Sequence, residues 1–204
     1  MHLKKLVTFC FLIFIYSCNP DKVSDKKMSA VPDSSAHAKQ YRDPKNYFRD
    51  CKLLLNEATR MDSTLYQQLE VNQALGNEAI KAFTDYAYYC GNDSLSPIFL
   101  IKTAQIATSL NNIPQAKIAL DKCIADYPKF KSVSAAIFLL AQLYDEQNYL
   151  NNEEEARRLY QEIIDKYPNS AEASSAKGAL KFIGKTDKEM IDQLKKEGKN
   201  ISIH

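Results

Sequence analysis

Three stretches of this chain align with one another without a gap, and that repetition constrains the fold more than any other feature. Ala79, Phe83, Tyr86 and Cys90 make the first; Ala116, Leu120, Cys123 and Tyr127 the second; Ala156, Tyr160, Ile163 and Tyr167 the third. Within each set the steps are four, three and four residues, which puts all four side chains on one stripe of an α-helix. The sets are offset by 37 and 40 residues, within the range of stacked helix pairs. The second and third sets run into Tyr127-Pro128 and Tyr167-Pro168, where proline stops the helix.

A leading helix is expected ahead of each stripe. Pro97 opens PIFLIKTAQIATSL, and Lys131 to Glu146 reads KSVSAAIFLLAQLYDE. Their cores align as Ala104-Gln105-Ile106-Ala107 against Ala141-Gln142-Leu143-Tyr144, again 37 apart. The later offset of 40 then requires three extra residues in the turn around Asn148 to Asn152. Ala104, Ala116, Ala141 and Ala156 let paired helices approach closely, and larger residues at the next steps fill the space between pairs. The first pair is less regular: Gly91 stands where proline would close it, and its leading helix falls on the irregular stretch Ser63 to Val71. Before it, Asp43-Pro44 has the form of an N-cap and first helical residue. Tyr47, Cys51, Leu54, Leu55, Ala58 and Met61 then recur as an amphipathic helix.

At the other end, Ala171 to Ile183 is expected to be the first helix of an incomplete pair, stopped by Gly184. Thr186-Asp187-Lys188-Glu189 has the pattern of a capping box. The helix it opens offers only Met190 and Leu194 as an apolar face, the polar exterior a solenoid end needs. Residues 199–204 are expected to fray.

The N-terminus carries an address. Lys4 and Lys5 precede an apolar run from Leu6 to Tyr16, whose helical length of roughly 16 Å is about half a bilayer's hydrocarbon thickness. That length fits a signal peptide rather than a membrane span. The run ends at Ile15-Tyr16-Ser17-Cys18, a cysteine directly after a small residue, and resembles a bacterial lipoprotein signal. The resemblance implies cleavage after residue 17 and acylation of Cys18; Tyr16 departs from the small residue many such signals carry there. Residues 18–42, rich in Ser, Lys, Asp and Pro, lack the apolar content to fold and read as a tether with a reach of roughly 25–30 Å. The folding portion is then residues 43–198.

Processing re-sorts the composition. The chain has 27 basic and 25 acidic residues, and loss of Lys4 and Lys5 leaves 25 of each. A balanced chain has no electrostatic reason to bind nucleic acid. Cys10 is discarded and Cys18 takes lipid, which leaves Cys51, Cys90 and Cys123, an odd number. One bridge among them could form in an oxidising periplasm, but their helical positions favour all three as small buried apolar residues.

The alanine that starts each second helix, the aromatic or leucine four residues on, and the closing proline resemble tetratricopeptide repeats over roughly residues 62 to 183. The endings DYPKF and DKYPNSAEASSAKGALKFIGKT, with the KEMIDQLKKEG helix, are similar to a family of small Bacteroidetes lipoproteins carrying such repeats. A looser similarity runs to the repeat lipoprotein of the outer-membrane β-barrel assembly machinery and to the periplasmic repeat protein of the Tol-Pal system. The resemblance implies an all-α fold: an α-α superhelix of about three tetratricopeptide-like helix pairs with a C-terminal capping helix. It also implies a concave groove lined by Ile101, Gln105, Phe138, Gln142 and Asp145. The basic-and-asparagine set with which some relatives clamp a peptide carboxylate is missing.

Catalytic signatures are scarce. The chain has five glycines and no GxxxxGK[ST], HExxH, GxSxG or CxxC. His37 and His204, the histidines left after processing, lie in the tether and at the last residue, where nothing orients a general base. Glu153-Glu154-Glu155 reads as the first turn of a helix rather than a cation site, and Tyr127, Tyr144, Tyr160 and Tyr167 as packing residues. Asp62-Ser63-Thr64 and Asp93-Ser94-Leu95 resemble a short O-glycosylation signal. No metal and no cofactor is expected. The expected function is a non-catalytic, lipid-anchored scaffold in the bacterial cell envelope, most naturally at the outer membrane and facing the periplasm or the cell surface. Its partners would be envelope proteins or peptides. The alternative is a peptide- or glycan-binding lipoprotein for nutrient capture or cell-wall maintenance.

Overall fold

A computed structural model describes residues 47–68, 70–91 and 93–196. The signal sequence, Cys18, the tether with His37, the Asp43-Pro44 cap and the tail with His204 lie outside the described residues. The described residues are all-α: eight helices and no strand. Seven helices, α1 (Tyr47–Tyr66), α2 (Gln73–Tyr89), α3 (Ser96–Ser109), α4 (Ile113–Asp126), α5 (Val133–Asp145), α6 (Glu153–Lys166) and α7 (Ala171–Leu180), belong to one compact unit ending at Ile183. Each packs on the next along the chain, and α5 also touches α7, two helices on. That order makes three helix pairs, α1/α2, α3/α4 and α5/α6, with α7 beginning a fourth.

The repeated stripes form the core. Phe83, Leu120 and Tyr160 occupy equivalent positions and are each at most 1% exposed. Ala79, Ala116 and Ala156 at the starts of the stripes are fully buried, as are Cys123 and Ile163. Burying a large apolar side chain contributes roughly 1.5–3 kcal/mol, so these stripes are the main source of cohesion between pairs. Tyr127 and Tyr167 are half-buried and lie against the same core, as does Tyr144.

Asparagine sets the turns between paired helices. Asn112 and Asn152 cap α4 and α6 by accepting the N–H of Gln115 and of Glu155, at 3.3 and 3.1 Å. The asparagine before each, Asn111 or Asn151, takes a left-handed φ of 59° or 47°, a conformation asparagine tolerates better than most residues. In both turns the capping residue's N–H closes back onto the preceding helix at 2.7 Å, from Asn112 to the Ala107 carbonyl and from Asn152 to the Tyr144 carbonyl. Ala107 and Tyr144 are 37 apart whereas the two asparagines are 40 apart. The three extra residues therefore sit inside the second turn, as the spacing requires. Tyr149 and Leu150 lie there, folded back by the 3.0 Å bond from the Leu150 N–H to the Leu143 carbonyl.

Two expectations need correction. The leading helix of the first pair is not the stretch Ser63 to Val71: it is the 20-residue α1, which buries Leu54, Ala58 and Met61 and ends at Tyr66. Repeat spacing misplaced it because the α1–α2 connection is longer than the α3–α4 one. Cys51 and Cys90 are not separate small fillers either. They form a disulfide with Cα atoms 5.6 Å apart, inside the range a bridge spans. Cys51 on α1 faces the C-terminal end of α2, so a half-buried and a buried cysteine become one covalent link; Cys123 stays free and buried.

A smaller difference concerns α7, which stops at Leu180; residues 181–183 turn, and Gly184 follows at φ 77°. The second unit is described from Gly184 onward and contains α8 (Asp187–Lys196). Its capping box forms as expected: the Thr186 N–H donates to the Glu189 carboxylate at 2.8 Å, and the Glu189 N–H donates to the Thr186 hydroxyl at 3.3 Å. The Thr186 N–H and hydroxyl, both donating to the Glu189 carboxylate at 2.8 Å, hold that carboxyl below the usual carboxylate range.

Candidate interaction surface

Of the leading helices, α3 and α5 carry the residues that sequence points to. Ile101 and Phe138 are equivalent positions one repeat apart, as are Gln105 and Gln142, and Thr108 and Asp145. On each helix these side chains recur at steps of four and three residues and share a face. Ile101 and Phe138 are half-buried and lean on the core, Gln105 is exposed, and Gln142 and Asp145 are half-buried.

The structure brings Phe138 and Asp145 together around a third residue, Tyr160 of α6. The Phe138 and Tyr160 rings sit 5.6 Å apart, and the Tyr160 hydroxyl donates to the Asp145 carboxylate at 3.4 Å. Burial, reinforced by that carboxylate, pushes the Tyr160 phenol far above its ordinary value, so it acts only as a donor here. Phe138 and Asp145 are thus partly committed to internal packing. Gln105 and Gln142 are the members of the set whose amides are least engaged: one amide per repeat, each with donors and an acceptor.

Neighbouring leading helices are also tied by polar contacts that sequence reasoning missed. Lys102 on α3 pairs with Asp62 on α1, and the Ser134 hydroxyl on α5 donates to Glu172 on α7 at 3.0 Å. Nothing in the spacing marks these pairs. The Asn-Asn dipeptides at 111–112 and 151–152 were readable, since asparagine favours both left-handed turns and helix caps.

The second helices present a different surface, laced with ion pairs. Arg158 on α6 reaches Glu155 at 2.7 Å and Glu162 at 3.0 Å, and Lys166 also meets Glu162 at 3.0 Å. The Arg158 hydrogen bond holds the Glu155 carboxyl below its ordinary value. Glu153, Glu154 and Glu155 fill the first turn of α6 as expected. A shallow depression on α6 is lined by Arg158, Gln161, Glu162, Asp165 and Lys166. All five belong to one helix, and the charges of Arg158 and Lys166 balance those of Glu162 and Asp165, which suits a solvated face. On α4, Lys117 and Lys122 pair with Asp121 and Asp126, both at 2.6 Å. Lys122 also lies 4.6 Å over the Tyr88 ring of α2, bridging two repeats.

Among the described residues, no group of three His, Cys, Asp or Glu side chains is placed to hold a metal ion, and no helix is long and apolar enough to cross a membrane. The closing of α6 at Tyr167 repeats that of α4 at Tyr127, with φ, ψ of −129°, 49° against −126°, 51°.

Residues 135–170 match the family described as tetratricopeptide repeat. The chain carries a tetratricopeptide repeat. The match covers most of α5, all of α6 and the closing Tyr167-Pro168, which is the third helix pair as the geometry defines it. The chain matches no curated protein and no solved structure. Tetratricopeptide repeats are typically non-catalytic and mediate binding between proteins, through surfaces that extend from repeat to repeat.

Proposed function

We propose that this chain is a lipid-anchored interaction scaffold of the bacterial cell envelope, held by acylated Cys18 and binding envelope proteins through its leading-helix layer. The single observation that carries the binding half is the tetratricopeptide repeat set in a continuous stack of helix pairs, which offers equivalent side chains at regular intervals. The anchoring half rests on the apolar run and Ser17-Cys18. The Cys51–Cys90 bridge supports export, because disulfides persist in oxidising compartments such as the periplasm.

Metabolic labelling with palmitate tests the anchor: label enters wild-type protein, fails to enter Cys18→Ala, and the variant leaves the membrane fraction. Equal labelling and fractionation of the two would reject the anchor. Crosslinking in cells followed by identification of partners tests the scaffold, with Gln105→Ala plus Gln142→Ala expected to reduce the recovered partners. A second reading, capture of a peptide or glycan by the same face, is favoured by the two unengaged amides. Saturable binding of a purified peptide or glycan, lost in the double amide variant, would replace the scaffold reading.

A further inference from the structure

We propose that the Cys51–Cys90 disulfide is a redox-controlled latch on α1: while oxidised it holds α1 against α2, and its reduction releases α1 without unfolding the later helix pairs.

α1 is weakly held for its length. It packs mainly along α2, whereas α5 lies against α4, α6 and α7. Of its 20 residues, Leu54, Ala58 and Met61 are the apolar ones that are buried. Phe48, Leu53 and Tyr66, at 78%, 60% and 83% exposed, contribute almost nothing to the core. α6 buries Ala156, Leu159, Tyr160 and Ile163 from only 14 residues. Cys51, Leu55 and Leu65 pack on the core only in part, and the first helix of the described residues, with that much apolar contact over 20 residues, falls toward the low end of local stability.

The bridge supplies what packing does not. Cys51 is the fifth residue of α1, and Cys90 caps the C-terminal end of α2, whose N-terminus follows the connection from α1. Oxidised, α1 is therefore tied near both of its ends and gains little chain entropy by opening. Reduced, its N-terminal end keeps only packing contacts such as the Tyr47–Tyr89 ring pair at 5.5 Å. The effect should remain local, because the link onward to α3 has its own fastening. Asp93 accepts the Tyr86 hydroxyl with one oxygen. Its other oxygen accepts the Leu95 N–H at 3.1 Å and both the Ser96 N–H and hydroxyl at 2.8 Å.

The chemistry needs a dithiol reductant. Cys51 is half-buried and Cys90 only 5% exposed, so the reductant's thiolate attacks the Cys51 sulfur. The S–S bond breaks, Cys90 leaves as a thiolate and takes a proton, and a mixed disulfide remains on Cys51. The second thiol of the reductant then attacks its own bridged sulfur and releases Cys51 as a thiol. The protein has gained two electrons and two protons, and the reductant ends as its own disulfide.

Hydrogen–deuterium exchange of the full chain, with dithiothreitol as the reductant, tests this. Amides of residues 52–66 should exchange at least about tenfold faster after reduction, those of α4 to α6 should change by less than about twofold, and reoxidation should restore α1. Cys51→Ser with Cys90→Ser should show the reduced pattern whether or not dithiothreitol is present, and Cys123→Ser should keep the wild-type response. Unchanged α1 protection after reduction would overturn the latch. So would acceleration spread evenly over all helices, which would make the bridge a staple of the whole fold.

Discussion

The first and third helix pairs solve the same packing problem with different means. In α5/α6 the stripe Ala156, Tyr160, Ile163, Tyr167 is closed by proline, and the neighbouring α7 covers its far side. In α1/α2 the stripe Ala79, Phe83, Tyr86, Cys90 has a cysteine where the later pairs have tyrosine, and glycine where they have proline. Its core is built from rings instead: Phe83 stacks on Phe99 at 5.0 Å, and Tyr86 meets Phe99 edge-on at 5.4 Å. The disulfide then fixes the outer helix. Among the described residues the first pair has a neighbour on one side only: rings fasten it to that neighbour, and the covalent tie holds the helix on the other side.

The largest test of this contrast is to remove the tie. The bridge closes a 39-residue separation, and on the chain-entropy account Cys51→Ser with Cys90→Ser should lower the stability of the oxidised protein by about 3–4 kcal/mol. Urea unfolding under oxidising conditions measures it, and a loss below about 1 kcal/mol would mean the first pair stands by packing alone. Next, Leu120→Ala in the second pair should cost about 3 kcal/mol by the same measurement, since Leu120 is 1% exposed and leaves a cavity. Substituting proline for Gly91, to copy the later closures, should destabilise rather than help. A Cβ there would meet the Tyr127 hydroxyl at 3.1 Å and the Ala87 carbonyl at 3.2 Å.

Asn152→Ala should cost about 1 kcal/mol through the lost cap of α6. The smallest effect is a gain. Gly178 in α7 has nothing within 4 Å of an added Cβ, so Gly178→Ala should stabilise by about 0.5–1 kcal/mol.

The cysteines sharpen the same contrast by reactivity. Burial, reinforced by Asp126, pushes the Cys123 thiol up to about 12 from its ordinary value of 9.0. A folded-state value above the unfolded one favours the protonated thiol. This contribution to stability is complete below pH 9 and is lost as pH rises from 9 toward 12. Iodoacetamide at pH 8 should leave Cys123 unmodified in the native protein and alkylate it fully in urea; rapid native labelling would contradict its burial.

Period and stripe carried most of the fold. The four-three-four spacing placed α2, α4 and α6, and the shift from 37 to 40 residues located the insertion to within one turn. What periodicity could not supply lay where the repeat breaks its own pattern. α1 was displaced by a longer connection, so an alignment built on constant spacing looked for it too late. The bridge was hidden because a cysteine on a helical stripe has the same spacing whether it packs or pairs. Only the meeting of α1's first turns with the end of α2 distinguishes the two. On the interaction face, spacing put Gln105 and Gln142 in register, but Phe138 and Asp145 are shared with Tyr160 across a helix pair, a contact no single-helix pattern contains.

The turn between α5 and α6 holds a practical lesson for anyone wishing to modify this protein. Compared with its counterpart at residues 110–112, it accommodates additional chain while the left-handed asparagine, the helix cap and the 2.7 Å closing bond keep the same form. Length there is decoupled from the architecture on either side. The exposed positions Gln147 and Asn148 are therefore the natural place to introduce a fluorophore, an affinity handle or a short epitope, reporting on the stack without entering it.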